Sequence, residues 1–383
     1  MDFTFTEEQT QIRDALRRFL AERYTLDRHR AIARSGSGCD PEIWQRFAEL
    51  GILGLGIPEA LGGMGGSAFD TLVVMEELGR ALVIEPYLAS VIVGAGMLVR
   101  AGNPAQQRLL PAIASGEIRV ALAHGEADSR WILDAVATRA TRDAQGWVLQ
   151  GAKSVVPDGA GANFLLVSAR GASGPSLFLV PGAQPGLRRA AHSTHDGASV
   201  AEVTLDGVRV PADALIGTEG GALPLIEAAS DAAIAGLCAE AVGAMDALLA
   251  LTLEYLKTRR QFGAPIGGFQ ALQHRMADML LHAELARSMS YLASAKLGVR
   301  NAGERRRAIS AAKFLVGRSA RFVGQGAVQL HGGMGVSDEL ATAHYFKRLT
   351  LINSGFGDMD HHLERFAAEM APATAPFAAS SPR

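Results

Sequence analysis

Apolar residues recur at helical spacing towards both ends of the chain and in short strand-like runs in its middle. Ile12, Leu16, Phe19 and Leu20 follow one helix face. Thr6 and Gln9 ahead of them form a capping-box pattern, and Glu7 and Glu8 suit the positive end of a helix. The same period predicts helices over 41–50, 69–82 and 87–101, between breakers at 35–38, Pro58, Gly62-Gly63 and Gly65-Gly66. From Arg119 to Gly217 the texture changes to β-rich runs at 146–149, 164–167, 177–180 and 203–205. Clusters of Gly, Pro, Asp and Asn separate them, which predicts an antiparallel sandwich or barrel. Asp206-Gly207 predicts a tight turn. After Gly221 helical periodicity returns in four long segments, 223–259, 268–300, 304–331 and 337–370, the pattern of a helix bundle.

The expected class is α+β multidomain: an all-α domain 1–118, a β domain 119–221, a four-helix bundle 222–372 and a disordered Pro/Ala/Ser tail 373–383. Composition adds mainly exclusions. A net charge of -2 without a Lys/Arg run leaves no nucleic-acid footprint. The longest apolar stretch, 232–253, is broken by Glu240 and Asp246 and does not read as membrane-inserted. The first residues lack a secretory pattern, and Cys39 and Cys238 are isolated thiols, so a cytoplasmic location is expected.

Candidate chemistry concentrates in the bundle. Arg259-Arg260-Gln261-Phe262-Gly263, Phe269-Gln270 and Gln329 to Gly335 combine a guanidinium fork with glycines whose bare amides can approach an anion. The plainer reading is a solvated helix end at Lys257-Thr258-Arg259-Arg260 and a glycine turn between helices. Glu76 and Glu77 read as a solvated or partner-facing stripe. Asp358 and His362, four apart, have a possible metal spacing without further ligands, and capping is preferred. His192 to Asp196 reads as a β-domain loop rather than a hydrolase triad.

Taken with Pro58 to Gly65, Asp206 to Pro211 and Leu215-Ile216-Gly217, these stretches resemble the acyl-CoA dehydrogenase family over nearly the whole chain. Lys153 to Val156, Tyr345 to Thr350 and Phe356-Gly357-Asp358 more narrowly resemble the small subunit of pimeloyl-CoA dehydrogenase and similar partner subunits of heteromers. The resemblance implies FAD as cofactor, bound through Arg259, Phe262, Gln270, Gln329, Gly332 and Gly333, on behalf of a neighbouring subunit. It implies an acyl-CoA substrate desaturated at the α,β bond and an electron-transfer flavoprotein as acceptor.

Two parts of the family pattern are missing. Leu122 to Ser129 stands where a Thr-Glu-Pro-like loop meets the flavin ring, and Val155 and Pro157 replace a Trp and a hydroxyl residue. The base, a Glu in the family, falls on Phe356 or, in a minority of members, on Ala233. Asp358 is a weak substitute whose plainer role is a helix cap. The leading expectation is therefore the small subunit of a heteromeric dehydrogenase whose sister chain brings the Glu. A self-sufficient homo-oligomer with a displaced base and a non-catalytic structural subunit are the alternatives.

Overall fold

Residues 4–370 are described in the computed structural model; the expected tail, 373–383, lies outside the described residues. The N-terminal helices begin where their caps dictate. Thr6 Oγ1 accepts from the Gln9 amide and Gln9 returns the bond, opening α1 (Glu7–Arg23). Thr25 caps α2 (Leu26–Ser35), Asp40 caps α3 (Pro41–Glu49) and Ser67 caps α4 (Ala68–Arg80). Next comes α5 (Leu88–Ala101), whose first part, Leu88–Ala95, is wound as a π-helix. Two short helices, α6 (Pro104–Gln107) and α7 (Leu110–Ala114), close the domain.

Eight strands follow: β1 (Val120–Ala123), β2 (Arg139–Asp143), β3 (Gly146–Pro157), β4 (Phe164–Gly171), β5 (Gly174–Pro181), β6 (Leu187–Ser193), β7 (Ser199–Val210) and β8 (Leu215–Ile216). Their order is β6-β7-β3-β2-β4-β5-β8, with β1 beside β4. The sheet is mixed, which corrects the wholly antiparallel expectation: β1 and β2 run parallel to β4. Asp206-Gly207 is not a turn either. It lies inside β7, where the register against β3 shifts between Leu149 and Gly151. Gly207 takes φ +65° there and its amide donates to Gln150 at 2.7 Å, so the signal marks a bulge.

The C-terminal bundle is built on α8 (Ala222–Thr258). This helix is long and apolar enough to cross a membrane, yet 78% of its most apolar window is buried inside the protein. A two-residue-strand hairpin, β9 (Arg260–Gln261) and β10 (Ala264–Pro265), leads to α9 (Gln270–Lys296) and α10 (Ala302–His331). The fourth expected helix is two, α11 (Ala341–Ser354) and α12 (Met359–Met370). The break falls at Phe356 (φ +57°) and Gly357 (φ +111°). The buried Lys313 of α10 donates to the Ile352 carbonyl and to that of Asn353 at 3.0 Å, satisfying the last turn of α11 before the break. Glu76 and Glu77 are buried rather than solvated: Glu77 pairs with Arg17 of α1 at 2.6 Å, and Glu76 lies 3.7 Å from Arg287 of α9. On α4 and α8, Gly79 and Gly243 let the backbones touch. A Cβ on Gly243 would lie 1.8 Å from the Glu76 carbonyl oxygen.

Candidate active site

A cavity of about 680 Å³ lies where the three domains meet. Its walls are the link before α5, the loops 124–133 and 194–200, the end of β3, one face of α8 and the α11–α12 corner. Phe356 forms part of the wall with its backbone in the left-handed region, a conformation that favours glycine. His362 holds it there. That ring is fully buried, with Nε2 3.0 Å from the Phe356 carbonyl oxygen and Nδ1 3.3 Å from Ser310 Oγ.

Burial pushes the His362 pKa down to about 3, against the pull of the Phe356 carbonyl. In the unfolded chain the ring takes up a proton below about pH 6.5. Acid in that window therefore favours the unfolded chain, by at most about 1.4 kcal/mol per pH unit for this group. His362→Gln is expected to be less stable than the wild type at neutral pH and to recover part of that deficit as pH falls from about 6.5 to 4. Denaturant titrations at several pH values test this. A deficit that stays constant with pH would mean that the ring is already protonated in the folded chain.

Neither expected base position carries a carboxylate into the cavity. Ala233 is buried among apolar side chains of α8, and Phe356 is aromatic. Asp358 does not line the cavity; its Oδ1 accepts from the His361 amide at 2.9 Å and so caps α12. His362, one of the two residues at possible metal spacing, is buried rather than part of a surface cap.

Five carboxylates do line the cavity, and two of them, Glu85 and Asp158, were missed in the sequence. Four pair with cations, Asp158 with Arg119 among them. Glu126 pairs with Lys153 at 2.7 Å, Asp196 with Arg348 at 2.8 Å, and Glu227 with Arg306 at 3.1 Å and Arg365 at 3.2 Å. Burial works against charge on Glu126, but Lys153, Thr138 and two amides together hold it down to about 2. Burial instead pushes Glu85 up to about 7, although the Tyr24 hydroxyl and the Asp40 amide bond it. It also pushes Asp158 up to about 7 despite Arg119 at 3.0 Å. No short-range motif flags Glu85 or Asp158, because the partners that bury them are distant in sequence.

The groups expected to meet a flavin ring are already engaged. The Ser154 amide donates to the Gly125 carbonyl at 2.8 Å, and the Val155 amide to Glu202 Oε1 at 3.1 Å. Pro157 has no N–H to give. Lys153 Nζ spans Glu126, Ser168 and the His124 carbonyl. With these donors spent inside the chain, the residues of this cavity do not fit the ring of FAD.

The other half of the expected site lies at a different place. Arg259, Phe262, Gln270, Gln329, Gly332 and Gly333 are all exposed, and none lines the cavity. They gather at one end of the bundle. Tyr255, one turn before Arg259, stacks on His331 at 4.4 Å, next to Gly332. His331 itself turns inward, its Nδ1 2.8 Å from the Ala327 carbonyl oxygen. Phe262 sits at the hairpin tip with φ +52° and 91% exposure, an arrangement costly for an aromatic with nothing to cover it. A Cβ at Gly332 or Gly333 would meet no atom of this chain within 4 Å. Gly332 ends α10 at φ +63°, a conformation that favours glycine, and its amide donates to the Gln329 carbonyl, whereas packing gives no reason for Gly333; an exposed glycine bend beside a guanidinium fits a diphosphate presented from outside. Leu280, Leu281 and Leu285 on α9, with Met334 and Val336, are exposed apolar side chains on the same bundle.

Comparison with known proteins gives the same family along the chain. The acyl-CoA dehydrogenase N-terminal domain matches residues 6–117, the middle domain 121–208 and the C-terminal domain 229–371. Acyl-CoA dehydrogenase FadE12 of Mycobacterium tuberculosis is 31% identical over 360 residues, covering 89% of this chain and 90% of that protein. Probable acyl-CoA dehydrogenase YngJ of Bacillus subtilis is 30% identical over 371 residues, covering 93% and 96%. Among solved structures, the Tcur3481-Tcur3483 steroid ACAD superposes with a TM-score of 0.86 at 31% identity, covering 95% of this chain and 98% of that one. The ChsE4-ChsE5 complex from Mycobacterium tuberculosis gives 0.88 at 28% identity, covering 98% and 100%.

Proposed function

Because the chain belongs to the acyl-CoA dehydrogenase family through all three of its domains, we propose that it is the partner subunit of a heteromeric dehydrogenase. Its cofactor is FAD, whose flavin accepts hydride when an acyl-CoA is desaturated. In the assembly, the Arg259 guanidinium grips the cofactor diphosphate in two places and the amides around Gly332 and Gly333 approach it. Phe262 gains cover from the sister chain. Gln270 and Gln329 supply further hydrogen bonds. The sister chain brings the ring contacts and the Glu that removes the α-proton. Electrons leave to an electron-transfer flavoprotein, in the cytoplasm.

One observation carries this reading: the six residues face out of the chain, whereas at the cavity beside its own corner the two base positions hold Phe356 and Ala233 and the Ser154 and Val155 amides are bonded within the chain. The ChsE4-ChsE5 relative, a complex of two proteins, is a precedent for such a pairing. Asp358, bonded into a helix cap, gives a self-sufficient enzyme no base. Purified alone, the chain is expected to retain no flavin and to desaturate no acyl-CoA. Assembled with its sister, it is expected to hold one FAD per unlike pair. A yellow, active homo-oligomer would overturn the division of labour.

A further inference from the structure

One cation on the cavity wall is left open by the rest of the chain. Three arginines line the cavity, Arg130, Arg348 and Arg365. Arg348 is spent on Asp196 and Glu240, and Arg365 on Glu227 and Asp231. Arg130 is exposed, and its guanidinium has no hydrogen bond or ion pair among the described residues. The acids of the wall are engaged elsewhere. Glu126, Asp158, Asp196 and Glu227 each face another cation, and burial pushes Glu85 up to about 7. Asp128, two residues from Arg130, lines a separate hollow with Asp134 and Arg170.

The loop that carries Arg130 is closed at its base and bent at its tip. Glu126 accepts from the Ala137 and Thr138 amides at 2.7 and 3.0 Å, so one carboxylate draws residues 127–136 into a compact loop. Arg170 ties the returning limb through Asp134 and the Val136 carbonyl. At the tip Arg130 takes φ +44°, a left-handed bend uncommon outside glycine. Four consecutive residues, Arg130 to Leu133, line the cavity there, and the Trp131 ring lies 5.7 Å from that of His361 on α12. Elsewhere the wall is largely apolar, with Val83, Ile84, Leu88, Val93, Ile234 and Leu237. The cavity, about 680 Å³, has the size of a small-molecule site.

We propose that this cavity is an accessory ligand site that takes an apolar chain ending in a carboxylate or phosphate, with the anion on the Arg130 fork. The proposal rests on the subunit reading in one respect, that no flavin of this chain fills the cavity. A guanidinium presents parallel N–H donors that match either anion. On an open surface solvent satisfies such a group; beside an apolar hollow it selects the charged end of an amphiphile. Phe356 and Ala233 offer the bound molecule no base, so it is held and not turned over.

The test follows Trp131 fluorescence in the full-length chain, purified alone at pH 7 and low salt, during titration with decanoate, decyl phosphate and decanol. Trp44 and Trp147, the other two tryptophans, are buried and do not line the cavity. At least one of the anions is expected to bind about fivefold more tightly than decanol, a modest preference because the guanidinium is exposed. Arg130→Gln is expected to remove that preference while decanol binding is kept, and Arg130→Lys to retain part of it. A preference for decanoate alone assigns a carboxylate, and one for decyl phosphate alone a phosphate. Equal affinities, no binding of any of the three, or a preference that survives Arg130→Gln would each overturn the proposal. Flavin in the purified chain would overturn the subunit reading along with it, whereas a colourless chain without the preference would overturn the proposal alone.

Discussion

Arg259→Ala, assembled with an unchanged sister subunit, is expected to weaken FAD binding by about a hundredfold and to leave the complex largely colourless after dialysis. A charge-assisted hydrogen bond contributes roughly 1.5–3 kcal/mol, and a guanidinium fork offers two to a diphosphate. Arg259 is exposed in the isolated chain, and its amide closes the last turn of α8 on Tyr255 at 2.8 Å through the backbone alone. The side chain can thus be removed without disturbing the helix end. Folding and assembly should survive, which separates lost cofactor from lost structure. Arg259→Lys should restore part of the affinity, because a point charge remains but the fork does not. Flavin absorbance per heterodimer is the measurement. An unchanged value would leave Arg259 a solvated charge and favour a purely structural subunit.

The second large effect concerns stability. Gly243→Val should destabilise the chain by about 3 kcal/mol or more, at the upper end of what overpacking costs. The reason is reciprocal contact between α4 and α8. A Cβ at Gly243 would sit 1.8 Å from the Glu76 carbonyl oxygen, and one at Gly79 would sit 2.0 Å from that of Glu240. Backbone atoms cannot swing aside as a side chain can, so the helices must separate. Glu240 is also the partner of Arg348 at 2.5 Å, and Arg348 lines the cavity, so the displacement reaches the site. Gly298→Ala is the control: nothing lies within 4 Å of a Cβ there, and the change should stay within about 0.5 kcal/mol. Urea titrations of both variants compare the two. A Gly243→Val chain as stable as the control would mean that the helices are not in contact.

What the sequence revealed depended on whether the cause was local. Thr6 and Gln9 bond each other across three residues, so α1 could be placed from its first turn. Arg259 and the glycines at 332 and 333 stood out in the sequence through their resemblance to a family motif, and a Cβ at either glycine would meet no atom within 4 Å. Asp206-Gly207 misled because a left-handed glycine serves a bulge as well as a hairpin, and only the pairing of β7 with β3 distinguishes them. The fourth bundle helix looked continuous because its period persists through the break at Phe356, which Lys313 holds from α10 and His362 from six residues further along the chain. Glu76 and Glu77 looked solvated because their cover, Arg17 and Arg287, comes from α1 and α9. Glu85 and Asp158 have no spacing to detect, since only the meeting of two domains brings them to one cavity wall.

The corner at Phe356 is held in a shape that an aromatic side chain there does not itself require. A left-handed bend, a buried imidazole clamp and an ammonium-capped helix end still present that position to the cavity, although an aromatic ring now occupies it. Writing a glutamate back at 356 would therefore aim a proton acceptor into the hollow without rebuilding any scaffold. It would face amides already spent at Ser154 and Val155, so a second repair, along β3, would have to come first. A self-sufficient site would thus need two changes in separate elements, and no single substitution supplies both.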